Sequence, residues 1–389
     1  MRARILSIAP LLYVLLLPTG ITINARPQVR DFGDPEWVLQ QSYQGPSFFD
    51  DWDFWSDRDP TNGIVDYQTV DQCRDKGLIY TDGEGRVIMR ADSWTDLGLN
   101  QPRPSVRIHS KRLLSLPSLT ILDLDHIPTG CSIWPAYWYC GPNWPNGGEV
   151  DIVEGVNGAE RNQMTLHTGE GCKLTSPGVF SGQTLGTDCH SAPGKNDGCG
   201  IASAADRTTG KGFNDDGGGV YVTAWMDGGI SIWIFKRWDT PEDVWDRSRT
   251  PEPDSWRLPD AHFAASGCHF TEMQMIFDTQ FCGDWAGSSG AWSGSGCPGT
   301  CAETVMTAAN FNEAYFAIND LRVYSPPGTG QNNNGTPTFG EPWSDRGDDG
   351  GGGVMSWIGA ARPAVVCDQR MLIVIVLIVL GIAVVVVSS

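Results

Sequence analysis

The chain has 389 residues, 40% of them hydrophobic, with Gly 47 and Pro 25, so it can bury a sizeable core in one large domain or two ordinary ones and turns often. Its formal charge is −19, from 27 basic and 46 acidic side chains. That balance repels a phosphate backbone and excludes nucleic acid as a partner. No polybasic patch offers a membrane contact, and a solubilising charge in an exported setting is the plain reading.

In chain order, Arg2 and Arg4 precede the apolar run 5–17, and small or polar residues follow. This is the pattern of a secretory signal peptide over residues 1–25, with cleavage after Gly20 or Ala25. Residues 27–325 read as one continuous domain. Stretches with a 3.6-residue period are scarce there and short alternating runs are common, which predicts an all-β domain of the size of a large sandwich. Residues 86–92 (RVIMRAD) and 118–125 (SLTILDLD) alternate. The Asp123-Leu124-Asp125 triplet resembles a glycosyltransferase DxD, but its place in an alternating strand makes it a polar face. Residues 219–226 and 230–236 flank Asp227-Gly228-Gly229, a hairpin signal.

The segment 147–155 reads GGEVDIVEG. Period-two alternation puts Glu149 and Asp151 on one face and Val150 and Ile152 on the other. Glu154 then falls on the apolar side, where an ionised carboxylate costs several kcal/mol or is forced neutral. A β-bulge within Asp151–Val153 adds one residue and returns Glu154 to the face of the other two acids. Three carboxyls in a row repel one another, but glycoside hydrolysis needs them: one attacks the anomeric carbon and a protonated one serves the leaving oxygen. The middle one keeps their pKa values apart and holds a shared proton. The bland alternatives are a solvated acidic loop or an oxygen-ligand metal site.

Sixteen Trp residues are many for this length, and flat indoles suit a cleft that stacks sugar rings. Trp134, Trp138, Trp144 and Trp285 are the candidates for substrate contact. Trp225 and Trp233 sit in alternating strands and read equally as core. His167 is a candidate subsite or supporting residue. Of eleven cysteines, ten lie between Cys73 and Cys301. An even ten in an exported chain predicts disulfides whose pairing the sequence leaves open. Cys297 and Cys301 lack the His or second Cys pair of a zinc site, so no metal site is expected.

Residues 326–358 are Pro, Gly, Asn and Asp with little to bury, a flexible stalk carrying the sequon Asn334-Gly335-Thr336. Residues 359–389 comprise Gly359-Ala360-Ala361, a polar spacer and the apolar run 371–387. That is the pattern of a GPI-attachment signal, with a single C-terminal transmembrane segment as the alternative. Either way the chain is expected at the cell surface, tied to the plasma membrane by its C-terminal anchor.

These segments together resemble glycoside hydrolase family 16, in its fungal-type laminarinase and endo-β-1,3(4)-glucanase branch. The likeness is carried by SYQGPSFFDDWDFW (42–55), DPTNGIVDY (59–67), RPSVRIHSK (103–111), WPAYW (134–138), GGEVDIVEGVN (147–157), TLHTG (165–169), FCGDWAG (281–287) and AYFAINDLRVY (314–324). It implies a β-jelly-roll, concanavalin-like sandwich with an open substrate cleft and a retaining mechanism. Glu149 would be the nucleophile, Asp151 the supporting acid and Glu154 the general acid/base. The ExDxxE form of the motif implies β-1,3 specificity. Where fungal members usually carry an Asn ahead of Thr-Thr or Thr-Gln, this chain has Phe277-Asp278-Thr279-Gln280. The expectation is a monomeric, secreted endo-β-glucanase acting on β-1,3 or mixed β-1,3/1,4 glucan. It needs no cofactor, with room for a structural calcium ion. Its rivals are a wall transglycosylase and a non-catalytic glucan-binding protein.

Overall fold

In a computed structural model, residues 36–329 are described, apart from 176–178, 193, 265–266 and 328. The expected signal peptide, the sequon, Cys367 and the C-terminal anchor lie outside the described residues, as does nearly all of the stalk.

Two eight-stranded sheets face each other. The outer sheet runs, edge to edge, through Ala261–Ala264, Gly229–Lys236, Gly219–Met226, Ser118–His126, Tyr315–Ser325, Val87–Arg90 and Ile79–Thr81, and Val38–Tyr43 also pairs with Tyr315–Ser325. The inner sheet runs through Gln183–Thr184, Cys199–Ala202, Gln163–His167, Glu149–Glu154, Ile133–Cys140, Met273–Phe281, Arg107–Leu114 and Trp52–Phe54. Every pair in both sheets is antiparallel. A parallel pair, Val65–Tyr67 with Arg103–Ser105, stands apart. The expected all-β jelly-roll sandwich is the fold observed.

The alternating sequences explain the layers. Between the sheets lie Val150, Ile152, Val153, Tyr137, Tyr139 and Phe277 from the inner sheet and Leu122, Tyr221, Trp225, Ile232 and Leu321 from the outer one. Each large apolar side chain buried there contributes roughly 1.5–3 kcal/mol. The hairpin over Asp227 and Gly228 pairs Met226 with Gly229 and runs eight uninterrupted pairs to Gly219–Lys236. Gly229 has φ +135°, and a Cβ there would meet Phe263 O at 2.2 Å. The far face of the outer sheet is apolar too: Leu119, Ile121, Val222 and Trp233 are covered by Trp37, Val244 and Trp256. Trp225 and Trp233 are thus both core, on opposite faces. Asp123 and Asp125 form ion pairs with Arg237 at 2.7 and 2.9 Å, the polar face read from the sequence.

Disulfides join Cys131 to Cys297, Cys172 to Cys268, Cys189 to Cys199 and Cys282 to Cys301. They tie down the long segments that border the inner sheet. Cys73 departs from the disulfide expectation. It is a buried free thiol on the helix Val70–Asp75, its pKa pushed up to about 12 by burial.

Candidate active site

The outward face of the inner sheet is polar. Its pivot is a register shift between Asp151 and Val153. Glu149 lies opposite Cys140 and Asp151 opposite Trp138, as in a regular ladder; then Val153 pairs with Tyr137 and Glu154 with Ala136. Ile152 and Val153 both turn to the core. The extra residue rotates Glu154 onto the face of Glu149 and Asp151, as the parity of the sequence requires. All three carboxyls line one groove of about 430 Å³, together with Trp134, Trp138, His167, Asp278 and Trp285.

Each acid has a distinct partner. Trp134 Nε1 donates to Glu154 Oε1 at 2.9 Å. Trp144 Nε1 donates to Glu149 Oε2. Asp151 hydrogen-bonds Glu149, and its Oδ2 lies 3.3 Å from His167 Nε2. His167 is opposite Glu149 in the next strand, and its Nδ1 meets Ser191 Oγ at 2.9 Å. Glu149, Asp151 and His167 bring their ligand-type atoms within 4.8 Å of one another. Along the strand the groove-facing acids follow in the order Glu149, Asp151, Glu154.

The indoles divide. Trp134 and Trp285 are half-buried in the groove and meet edge to face, with ring centroids 5.5 Å apart. Trp138 lines the groove but is only 5% exposed, so it is a wall rather than an open platform. Trp144 is half-buried, packs against the cluster of Ala136, Trp138, Cys140 and Ile276, and holds Glu149 by its Nε1–H.

A two-part clamp places Trp285. In the turn 59–63, Asp59 Oδ2 accepts from Thr61 Oγ1 at 2.9 Å and from Gly63 N at 2.6 Å. Gln280, with its amide nitrogen turned inward, donates to Asp59 Oδ2 at 2.8 Å. Asp284 N donates to Thr61 O, and Asn62 Nδ2 to Asp284 Oδ1. A Cβ on Gly63 would meet Asp59 Oδ2 at 2.8 Å. DPTNG, a weak motif alone, thus fixes FCGDWAG from 222 residues away.

Comparison with known proteins agrees with this geometry. The profile described as XgeA-like, catalytic GH16 domain, matches residues 52–324. A probable glycosidase from Schizosaccharomyces pombe is 43% identical over 296 residues, which span 74% of this chain and 69% of that protein. The chain belongs to glycoside hydrolase family 16.

An endo-1,3(4)-beta-glucanase of Arthroderma benhamiae is 35% identical to this family 16 chain over 76% of it and 66% of the relative. A probable endo-1,3(4)-beta-glucanase of Aspergillus flavus is 37% identical, and there the match spans 46% of the relative's length. The chain thus spans about half the length of that relative. Among solved structures, the family 16 laminarinase 16A of Phanerochaete chrysosporium, holding beta-glucans in donor and acceptor sites, has TM-score 0.71 and 35% identity over 74% of this chain and 99% of that one. An elongating family 16 beta-1,3-glucosyltransferase has TM-score 0.70 and 35% identity over 74% and 100%.

Within this family 16 site the carboxyls are strongly perturbed. Burial, then the Asp151 charge, push Glu154 well above the ordinary glutamate range, against the Trp134 hydrogen bond and His167. Burial likewise pushes Asp151 well up; the bond to Glu149 opposes this and Asp278 adds to it. The groove therefore holds its protons into a range where exposed carboxyls have lost them. An acid that stays protonated beside a hydrogen-bonded carboxylate pair is what general-acid attack on a glycosidic oxygen requires. Sequence reasoning missed Asp59, Asp278, Gln280 and Ser191 as site residues. Asp278 and Gln280 were visible as the groove-facing alternation of 274, 276, 278 and 280, had that strand been aligned with Ile133–Cys140.

Proposed function

We propose that this protein is a secreted, retaining endo-β-glucanase that hydrolyses β-1,3 or mixed β-1,3/1,4 glucan. One observation carries the reading: the bulge at Ile152 sets Glu149, Asp151 and Glu154 on one groove face, with Glu154 buried and its pKa pushed up by that burial. Glu149, its orientation fixed by Trp144, attacks the anomeric carbon as Glu154 passes its proton to the leaving oxygen. Glu154, now a carboxylate steadied by the Trp134 indole, takes a proton from water, which releases the sugar from Glu149. Asp151 holds the shared proton against Glu149 and keeps the two outer pKa values apart. The named activities of the Arthroderma relative and the laminarinase neighbour support β-1,3 linkage as the substrate class.

The finer reading extends to placement. The described disulfides suit an oxidising compartment, and the terminal apolar run supports a GPI-anchored or membrane-spanning monomer that acts on cell-wall glucan outside the cell. A second reading, glucan transfer, is favoured by the glucosyltransferase neighbour; it uses the same acids with a sugar in place of water. Incubation with laminarin and labelled laminari-oligosaccharides decides. New reducing ends at constant oligosaccharide length support hydrolysis, lengthened products support transfer, and neither would leave a binding protein.

A further inference from the structure

The groove face carries a fourth buried carboxylate that the hydrolytic scheme leaves unused. Asp278 lies opposite Ala136 on one neighbouring strand and opposite Arg107 on the other. Ala136 is itself opposite Glu154. A single small side chain therefore separates Asp278 from the general acid across the sheet. One step along, Trp138 is opposite Asp151, and its indole reaches diagonally to donate Nε1–H to Asp278 Oδ2 at 2.9 Å. The Arg107 guanidinium lies over that indole, 5.2 Å from the ring centre. Trp138 is thus gripped at its edge by Asp278 and on its face by Arg107, beside Asp151.

The groups facing Asp278 come from every element packed around it. They are Arg107 from its own sheet, Asp59 from the turn 59–63, the Trp138 indole, Asp151 beyond it, and the Tyr67 hydroxyl from the small parallel pair. An Asn would accept from the indole as well as an Asp does. What the Asp adds is a negative charge set into an already acidic, desolvated face, which costs stability.

We propose that Asp278 is a positioning residue of this hydrolytic site, fixing the Trp138 indole beside Asp151 and, through its charge, keeping the shared proton on the Glu149–Asp151 pair. The inference rests on the hydrolase reading above. A like charge nearby disfavours a second ionisation of a carboxyl pair, so the pair keeps its proton to higher pH when Asp278 is charged.

Two variants separate the bond from the charge: Asp278→Asn keeps an acceptor for the indole, and Asp278→Leu removes both. The first readout is the Trp138 indole N–H in ¹⁵N spectra against pH, assigned by its loss in Trp138→Phe. Burial pushes Asp278 up to about 6, so the native resonance should titrate near that value. In Asp278→Asn the step should vanish with the resonance still hydrogen-bonded. The second readout is the pH profile of kcat/KM on laminarin. In Asp278→Asn its alkaline limb should lie at lower pH than in the native protein, because Asp151 gives up its proton earlier. Asp278→Leu should in addition raise KM severalfold as the indole comes loose. A native indole resonance that does not titrate overturns the positioning role, and an Asn profile that superimposes on the native one overturns the proton-holding role. The spectral arm needs no turnover, so a native chain inert on every glucan would sink the hydrolase reading and leave the Asp278–Trp138 contact tested separately.

Discussion

The hairpin Gly219–Met226/Gly229–Lys236 and the strand Glu149–Glu154 start from the same kind of sequence, short runs rich in β-branched residues, and end in opposite roles. The hairpin keeps eight consecutive pairs in register and builds core on both faces of the outer sheet. The bulged strand breaks register once, gives Val150, Ile152 and Val153 to the core, and turns three acids to the groove. Regularity here serves stability. The single irregularity serves chemistry, because it lets one strand satisfy the core and still present three carboxyls on its other face.

The contrast breaks most visibly at the acids themselves. Glu149→Gln and Glu154→Gln are expected to lower kcat on laminarin by about 10²–10⁴-fold or more, with oligosaccharide binding retained in calorimetry. Near-native turnover in either would remove the role assigned to it. Deleting Ile152 tests the parity argument by another route. The residues left, Glu149-Val150-Asp151-Val153-Glu154, alternate without a bulge, so all three acids should keep the groove face, and the fold should lose mainly the buried Ile152 side chain, about 1.5–3 kcal/mol in urea unfolding. A deletion variant with Glu154 turned into the apolar layer and no turnover would contradict the parity reading.

A matched change in the regular region should uncouple the two properties. Ile232→Ala, in the fully buried hairpin, should cost about 2–5 kcal/mol of stability while kcat, measured well below the unfolding temperature, stays native. Smaller shifts come from the indole that serves Glu154. Trp134→Phe removes a hydrogen bond that lowers the Glu154 pKa, so the alkaline limb of kcat should move to higher pH. Because the folded Glu154 pKa lies above its unfolded value, the folded state binds the extra proton. Its contribution to stability is complete below the unfolded carboxyl value and is lost as pH rises through the raised one. Glu154→Gln should therefore flatten the fall of Tm across that range. The smallest effect belongs to chelation. EDTA should leave kcat unchanged, and a fall in Tm alone would mark a structural calcium ion.

Much of this was legible in the chain. The parity conflict at Glu154 located the bulge to within three residues, and Asp227-Gly228 placed the hairpin turn, because both follow from local period and turn chemistry. Trp225 and Trp233 could not be assigned to core or cleft from alternation alone, since the outer sheet is apolar on both faces. Trp144 was picked out for its indole, but its hydrogen bond to Glu149 was not legible, because it depends on the turn after Cys140 folding back on the strand. The Asp59–Gln280 clamp and the Asp278–Trp138 contact join residues 221 and 140 positions apart, and no local pattern encodes such pairings. Cys73 shows the limit of counting: ten cysteines look like a complete set, yet this one stays a buried free thiol.

The most direct measurement is azide rescue of the two glycine variants on an activated aryl β-glucoside of laminaribiose, with the anomer of each product read by NMR. If Glu149 attacks and Glu154 handles the proton, Glu154→Gly should yield the β-azide by way of the intact nucleophile, and Glu149→Gly the α-azide by direct displacement. The same anomer from both variants, or the reverse assignment, would contradict the account.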